Sequence, residues 1–170
     1  MRRRRAVVGV MGAGEGASAG AVALAVALGE CSSARGWVLL SGGRPVGVMA
    51  ATSRGAARVE GHLVVGVVPT GGNGDDRPTT ADVDLALFTA MGSARNVINV
   101  LSADVVVVCG GGGPGTASEA AHALKANRPL ILLAVPPLWH DFFCSPGEGV
   151  ESASDVDACC RLIEARLRMP

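Results

Sequence analysis

Asp104-Val105-Val106-Val107-Val108-Cys109-Gly110-Gly111-Gly112-Gly113-Pro114-Gly115-Thr116-Ala117-Ser118-Glu119 carries the clearest structural signal in the chain. Its first part is a continuous β-branched run, the pattern of a strand buried on both faces of a parallel sheet rather than the alternation of a strand with one wet face. Glycines end the strand, and Thr116 to Asn127 reads as a helix. Strand, glycine loop and helix in that order leave backbone N–H groups unobstructed and set the positive end of a helix dipole beside them. Such a place suits a phosphate or other oxyanion. Thr116 either donates its hydroxyl to that anion or caps the helix in a T-x-x-E box with Glu119, and the glycine run favours the anion.

The same unit recurs elsewhere in the chain. Ala6 to Val10 reads as a buried strand, followed by Gly12, Gly14 and Gly16 and an Ala-rich helix from Ala17 to Glu30. Trp37 to Leu40 is a second strand, Ser41 to Pro45 its loop, and about Val46 to Glu60 its helix. Leu63 to Val68 and Asp84 to Phe88 read as strands, separated by the polar loop Pro69 to Pro78, which is expected to be mobile. Ser93 to Ala103 is a helix, Leu130 to Val135 a strand and Ser154 to Leu167 an amphipathic helix, while Pro136 to Gly149 takes no assignment. Strands alternating with helices predict an α/β, Rossmann-like doubly wound, mainly parallel sheet with helices on both faces. In such sheets the ligand sits beyond the carboxyl ends of the strands, where the loops after Val10, Leu40 and Cys109 should converge.

Within those loops, Gly12 and Gly14 supply G-x-G, but no acidic residue ends the second strand to hold a ribose, so tight-turn glycines and a dinucleotide fingerprint both remain open. Gly42-Gly43-Arg44 offers flexible backbone and then a cation suited to a phosphate or polar heterocycle. Arg95 stands early in a helix, against the dipole, which a bound anion or Glu119 would offset; a solvated surface arginine is the alternative. His62, His122 and His140 are not spaced as metal ligands, and no metal site is expected.

Composition bounds the rest. A chain of 170 residues and 17.1 kDa fits one domain, taken as residues 1–170, and 49% hydrophobic against 18% charged residues excludes disorder. Basic and acidic residues balance at 15 each, and 3% aromatic content supplies little for base stacking, so nucleic acid is not an expected partner. Arg2 to Arg5 reads as a solvated stub before the first strand. No stretch approaches the ~18 apolar residues of a membrane span, and early glycines break any secretory signal, which points to the cytoplasm. Five cysteines without a CxxC pair predict reduced thiols rather than a disulfide frame, with Cys109, beside the glycine cluster, the one sulfur to follow near the site.

Taken together, Gly9-Val10-Met11-Gly12, Gly36-Trp37 leading to Ser41-Gly42-Gly43-Arg44, Gly47-Val48-Met49, Gly92-Ser93-Ala94-Arg95-Asn96 and Gly113-Pro114-Gly115-Thr116-Ala117-Ser118-Glu119 resemble the molybdenum cofactor carrier proteins, over about Val7 to Phe143. The resemblance implies a Rossmann-like homotetramer that binds, stores and protects molybdenum cofactor (molybdopterin), without catalysis, for delivery to molybdoenzymes. It implies cofactor-binding roles for Gly12, Gly14, Gly42, Gly43, Arg44, Arg95, Gly112, Gly113, Gly115, Thr116 and Glu119. The apolar helix stretches Ala17 to Leu28 and Val97 to Leu101 are candidates for the subunit interface, or for ordinary packing on the sheet. The carriers are similar in turn to the LONELY GUY or lysine-decarboxylase-like phosphoribohydrolases, whose P-G-G-x-G-T-x-x-E motif falls on Gly111 to Glu119 with Gly111 in place of the leading proline. Their arginine-lysine pair falls on Arg95 and Asn96, so the lysine is lost. Arg95 and Glu119 would be the catalytic groups of that alternative, a nucleoside-monophosphate phosphoribohydrolase.

Overall fold

A computed structural model describes residues 4–71, 79–145 and 149–168. The strands are β1 (Val7–Gly12), β2 (Val38–Ser41), β3 (Val64–Val68), β4 (Leu85–Phe88), β5 (Val105–Cys109), β6 (Leu130–Leu133) and β7 (Val150–Ala153). The helices are α1 (Ala19–Ala34), α2 (Gly47–Ala56), α3 (Arg95–Ser102), α4 (Pro114–Lys125), α5 (Pro137–Cys144) and α6 (Val156–Arg168), with a 3-10 turn over Gly92–Ala94 leading into α3. All seven strands pair in parallel in the order β4-β3-β2-β1-β5-β6-β7. The expected α/β doubly wound architecture is thus present.

The valine run of β5 is fully buried because alternate side chains enter different cores. Val105 and Val107 meet Ala21, Ala25 and Leu28 of α1 and Ile163 of α6 on one face. Val106 and Val108 meet Val100 of α3, Ala120 and Ala123 of α4 and Phe143 of α5 on the other. A strand covered on both sides gains nothing from polar alternation, which is why its sequence is continuous. The helices α1 and α2 touch backbone to backbone: a Cβ on Gly55 would collide with the Val26 carbonyl, and one on Gly29 with that of Thr52.

Several boundaries differ from the sequence reading. α1 begins at Ala19, where Ser18 Oγ accepts from the Ala21 N–H at 3.1 Å, and runs on to Ala34. α2 ends at Ala56 rather than near Glu60, where the N–H groups of Arg58 and Val59 turn back to the carbonyls of Gly55 and Ala56 three residues earlier, before Gly61 at φ +73° leads into β3. The unassigned region contains α5, and β7 follows where no strand was expected. Most of the loop expected to be mobile, 72–78, lies outside the described residues, as do Arg2 and Arg3. Cys31 of α1 and Cys160 of α6, read from the sequence as unpaired, lie sulfur to sulfur, with Cα atoms 7.1 Å apart. Helix packing brings together two cysteines separated by 129 residues, a proximity that no local spacing reveals.

Candidate functional site

The direction of chain progression reverses between the neighbouring strands β1 and β5, so the loops leaving their carboxyl ends part and open a crevice. Two bonds fix its walls: the Ala13 N–H donates to the Gly111 carbonyl at 3.1 Å, and the Val48 N–H to the Ala13 carbonyl at 2.9 Å. The loop Gly42 to Arg44 closes a third side. The result is a cavity of about 300 Å³, at the small end of the ~300–1,000 Å³ typical of small-molecule sites.

On the floor lies the start of α4. Gly113 is its N-cap and Pro114 its first residue, so Thr116 and Glu119 do not form a capping box. The first intrahelical bond runs from the Ala117 N–H to the Gly113 carbonyl at 3.0 Å. The amides of Gly115 and Thr116 precede it and have no intrahelical acceptor, while Pro114 has no N–H to orphan. The Thr116 hydroxyl has no protein partner among the described residues, so both the donors and the dipole at this helix end are available to an anion. From the facing helix, Asn96 Nδ2 donates to Ser118 Oγ at 2.8 Å and so ties α3 to this turn.

Arg95 and Glu119 meet in the wall. Arg95 NH1 approaches Glu119 Oε1 at 3.4 Å, and their side chains are 11% and 9% exposed. Asn99, one turn beyond Arg95, donates from Nδ2 to the same Oε1 at 2.7 Å. Burial pushes the Glu119 carboxyl above its ordinary range, although the Asn99 bond and the charge of Arg95 pull the other way. Burial likewise lowers the Arg95 guanidinium, which Glu119 raises and the like charge of Arg44 lowers further. Arg95 Nε and Asn99 Oδ1 are buried without a partner among the described residues.

The rim carries Arg44, paired at 3.4 Å with the well-exposed Glu15, a contact weak enough to exchange for a ligand. Gly42 lies so close to Arg95 that a Cβ there would stand 2.7 Å from NH2 and 2.8 Å from NH1. The missing side chain is therefore what keeps the guanidinium in place.

The sequence-derived residues separate cleanly. Gly12, Gly14, Gly42, Arg44, Arg95, Gly113, Gly115, Thr116 and Glu119 all line the cavity. Gly43 stands behind it against Gly66, and Gly112 packs on Thr116 and Ala13. Met49, Asn96 and Glu15 line it too and were not singled out as ligand contacts; nor was Asn99, whose i, i+4 spacing from Arg95 was the available signal. Cys109 is fully buried, and desolvation pushes its thiol up to about 12, so it presents no thiolate to the site. No group of three or more His, Cys, Asp or Glu able to hold a metal occurs among the described residues. The donor set suits the organic and anionic parts of a ligand rather than direct ligation of a metal.

Comparison with known proteins gives a consistent result. The profile of the SLOG cluster4 family matches residues 5–158. The molybdenum cofactor binding protein from the phototrophic bacterium Rippkaea orientalis has a similar structure, with a TM-score of 0.90 and 41% identity, over 98% of this chain and 99% of that one. The molybdenum cofactor carrier protein of Chlamydomonas reinhardtii also superposes at a TM-score of 0.90, with 37% identity over 98% of this chain and all of that one. An uncharacterized protein of Archaeoglobus fulgidus is 41% identical over 129 residues, 76% of this chain and 80% of that one.

Proposed function

The chain belongs to the SLOG cluster4 family, and from that membership, its likeness to cofactor carriers and the chemistry of its cavity we propose that it binds and carries molybdenum cofactor for molybdoenzymes. The end-to-end likeness to a molybdenum cofactor binding protein carries this reading, because the matched region includes every loop of the cavity.

The residues fit such a cargo. The amides of Gly115 and Thr116 and the Thr116 hydroxyl receive the terminal phosphate. The carbonyls and N–H groups around Gly12, Gly14 and Gly42 face the polar edges of the pterin, and Arg44 and Arg95 supply cationic donors. Gly43 and Gly112 act one layer back, by letting the loops approach. The protein grips the organic part and leaves the metal end unligated, an arrangement that permits hand-over. A carrier needs no reacting group, and the loss of the second cation at Asn96 removes charge that a phosphoribohydrolase would use to stabilise its transition state.

Homo-oligomerisation, as a tetramer, belongs to this proposal. Ala21, Ala25 and Leu28 of α1 are consumed by the chain's own core; of the exposed apolar side chains, which include Leu138 and Phe142 of α5, we assign Leu85, Leu87 and Phe88 to the partner subunit, because they sit on the edge strand β4 with its open ladder, together with Leu101 of α3. We place the protein in the cytoplasm, where a reducing milieu would hold Cys31 and Cys160 as thiols; no described helix is long and apolar enough to cross a membrane.

The test is anaerobic loading with molybdenum cofactor, followed by size-exclusion chromatography with molybdenum and pterin quantified in the protein peak. Wild type should retain both in equal amounts, and Thr116→Val should retain about tenfold less at limiting cofactor, the loss of one bond to a charged group. A wild-type peak without pterin would end the carrier reading. Release of free base from adenosine monophosphate at an enzymatic rate, abolished in Glu119→Gln, would replace it with the hydrolase.

A further inference from the structure

At the opposite end of the sheet a second, larger concavity of about 980 Å³ opens below the amino ends of β1, β2, β5 and β6. Five of the chain's arginines line it, Arg4, Arg5, Arg35, Arg128 and Arg166, against one carboxylate, Asp104. With Glu164 and Glu151 bonded to Arg35 and Arg166 from beside the lining, a local excess of two positive charges remains in a chain of zero net charge.

Three of the five have acidic partners. Arg4 makes two bonds to Asp104 at 2.7 and 3.1 Å, Arg35 meets Glu164 at 2.6 Å and Arg166 meets Glu151 at 2.7 Å. Burial pushes Asp104 up, but the bonds from Arg4 and the Val7 N–H and the charges of Arg4 and Arg128 overrule it, so it stays ionised. Arg5 and Arg128 differ. Arg5 donates to the carbonyls of Gly36, Trp37 and Gly61 at 2.7, 3.2 and 3.4 Å, and Arg128 to the carbonyl of Leu101 at 2.9 Å.

Carbonyls fix these two guanidiniums and neither makes an ion pair, although Arg128 stands within range of the Asp104 charge that Arg4 holds. A guanidinium has five N–H donors, so after these bonds Arg5 keeps two and Arg128 four. Cations already held in place lose little side-chain freedom on binding, which favours a built anion site over a solvated fringe. Between them the walls are apolar, from Pro129, Leu167 and the edge of Trp37, over whose ring Arg35 stands at 5.8 Å. Trp37 is only 8% exposed, so the concavity offers no open ring for base stacking.

We infer that this concavity docks an acidic polypeptide segment of a partner protein, with carboxylates on Arg5 and Arg128 and apolar side chains against Pro129 and Leu167. Since it lies at the other end of the strands from the glycine loops, a partner held here leaves the first cavity open. The inference is independent of what that cavity binds.

The test uses fluorescence polarisation of the 170-residue chain with a labelled nonapeptide of three Glu-Glu-Leu repeats, its Gln-Gln-Leu counterpart and an oligothymidylate of equal charge. The Glu peptide should bind below about 1 mM, a weak-complex affinity, and should release when salt is raised to ~0.3 M; the Gln peptide should not bind. Arg128→Gln carries the test, because its single bond to Leu101 makes little demand on the fold; it should weaken the peptide about tenfold, with Arg128→Lys between the two. A thermal melt of Arg128→Gln matching wild type reports that the variant is folded. Equal binding of both peptides, no binding of the Glu peptide, an unaffected Arg128→Gln or tighter binding of the oligothymidylate would each overturn the inference.

Discussion

Replacing Gly42 with alanine tests whether the position of Arg95 governs binding. The new Cβ would lie 2.7 Å from Arg95 NH2 and from Met49 Sδ, whereas ordinary contact begins near 3.4 Å. The guanidinium must therefore move by about 0.7 Å or the loop must yield, and the far end of a long side chain yields first. Gly42 has no left-handed φ, so the backbone itself accepts alanine and the melting temperature should fall by only a few degrees. The displaced Arg95 loses its aim at the cavity, and a missing charged hydrogen bond of ~1.5–3 kcal/mol corresponds to roughly ten- to a hundredfold weaker cofactor binding. Gly43→Ala is the matched control. Gly43 sits at φ +67° with its would-be Cβ 3.0 Å from the Gly66 Cα, backbone that cannot swing away, so alanine there should lower the melting temperature by several degrees while the folded fraction still binds. Anaerobic cofactor titration beside thermal melts of both variants separates the effects. Wild-type affinity in Gly42→Ala would mean that the position of Arg95 does not govern binding.

Further outcomes follow from the same geometry. Because burial holds the Glu119 carboxyl above its ordinary 4.5, the folded chain keeps a proton that the unfolded chain has released. The stability this contributes is full below pH 4.5 and is lost as pH rises through the higher folded value, so melting temperature should decline over that window in wild type and stay flatter in Glu119→Gln. In native protein, iodoacetamide at pH 8 should modify half-buried Cys144 and spare Cys109 and Cys159, whose buried thiols are pushed up to about 12, until denaturant is added; rapid native labelling of Cys109 would contradict its burial. Sedimentation at micromolar concentration should give a species near four times 17.1 kDa, and Leu87→Glu on the β4 edge should dissociate it, whereas an unchanged tetramer would move the interface elsewhere.

What the sequence revealed and concealed has physical causes. The glycine loops could be placed because a buried parallel strand has a distinct composition and its end is marked by residues without side chains. β7 was missed because Val150-Glu151-Ser152-Ala153 is an edge strand with partly exposed side chains and no apolar run. α5 was missed because Pro136-Pro137 resembles a helix break, although proline is well suited to the first helical position it occupies. A second proline explains the failed capping box: Pro114 starts α4 early, so Thr116 falls inside the first turn and Glu119 points across to α3 rather than back to the cap. The pairing of Arg95 with Glu119 could be anticipated from the dipole argument, but the grip of Asn99 on that carboxylate depended on α3 lying beside α4, a contact between distant segments.

The parallel topology also explains why a chain without net charge has two cationic places of different kinds. Every helix that follows a strand starts at the carboxyl end of the sheet and returns to the amino end, so unpaired N–H groups collect at one end and unpaired carbonyls at the other. At the carboxyl end, backbone amides can meet an anion with only Arg44 and Arg95 in support. At the amino end the backbone presents acceptors, and side-chain cations must satisfy them, as Arg128 does at the last turn of α3 and Arg5 at the loop carbonyls before β2 and β3. The first site thus depends on loop shape, which a single Cβ can spoil, whereas the second depends on charge, which salt can screen. Separated by the length of the strands and sharing no side chain, they should respond to substitution independently, with double variants such as Gly42→Ala plus Arg128→Gln showing the sum of the single effects.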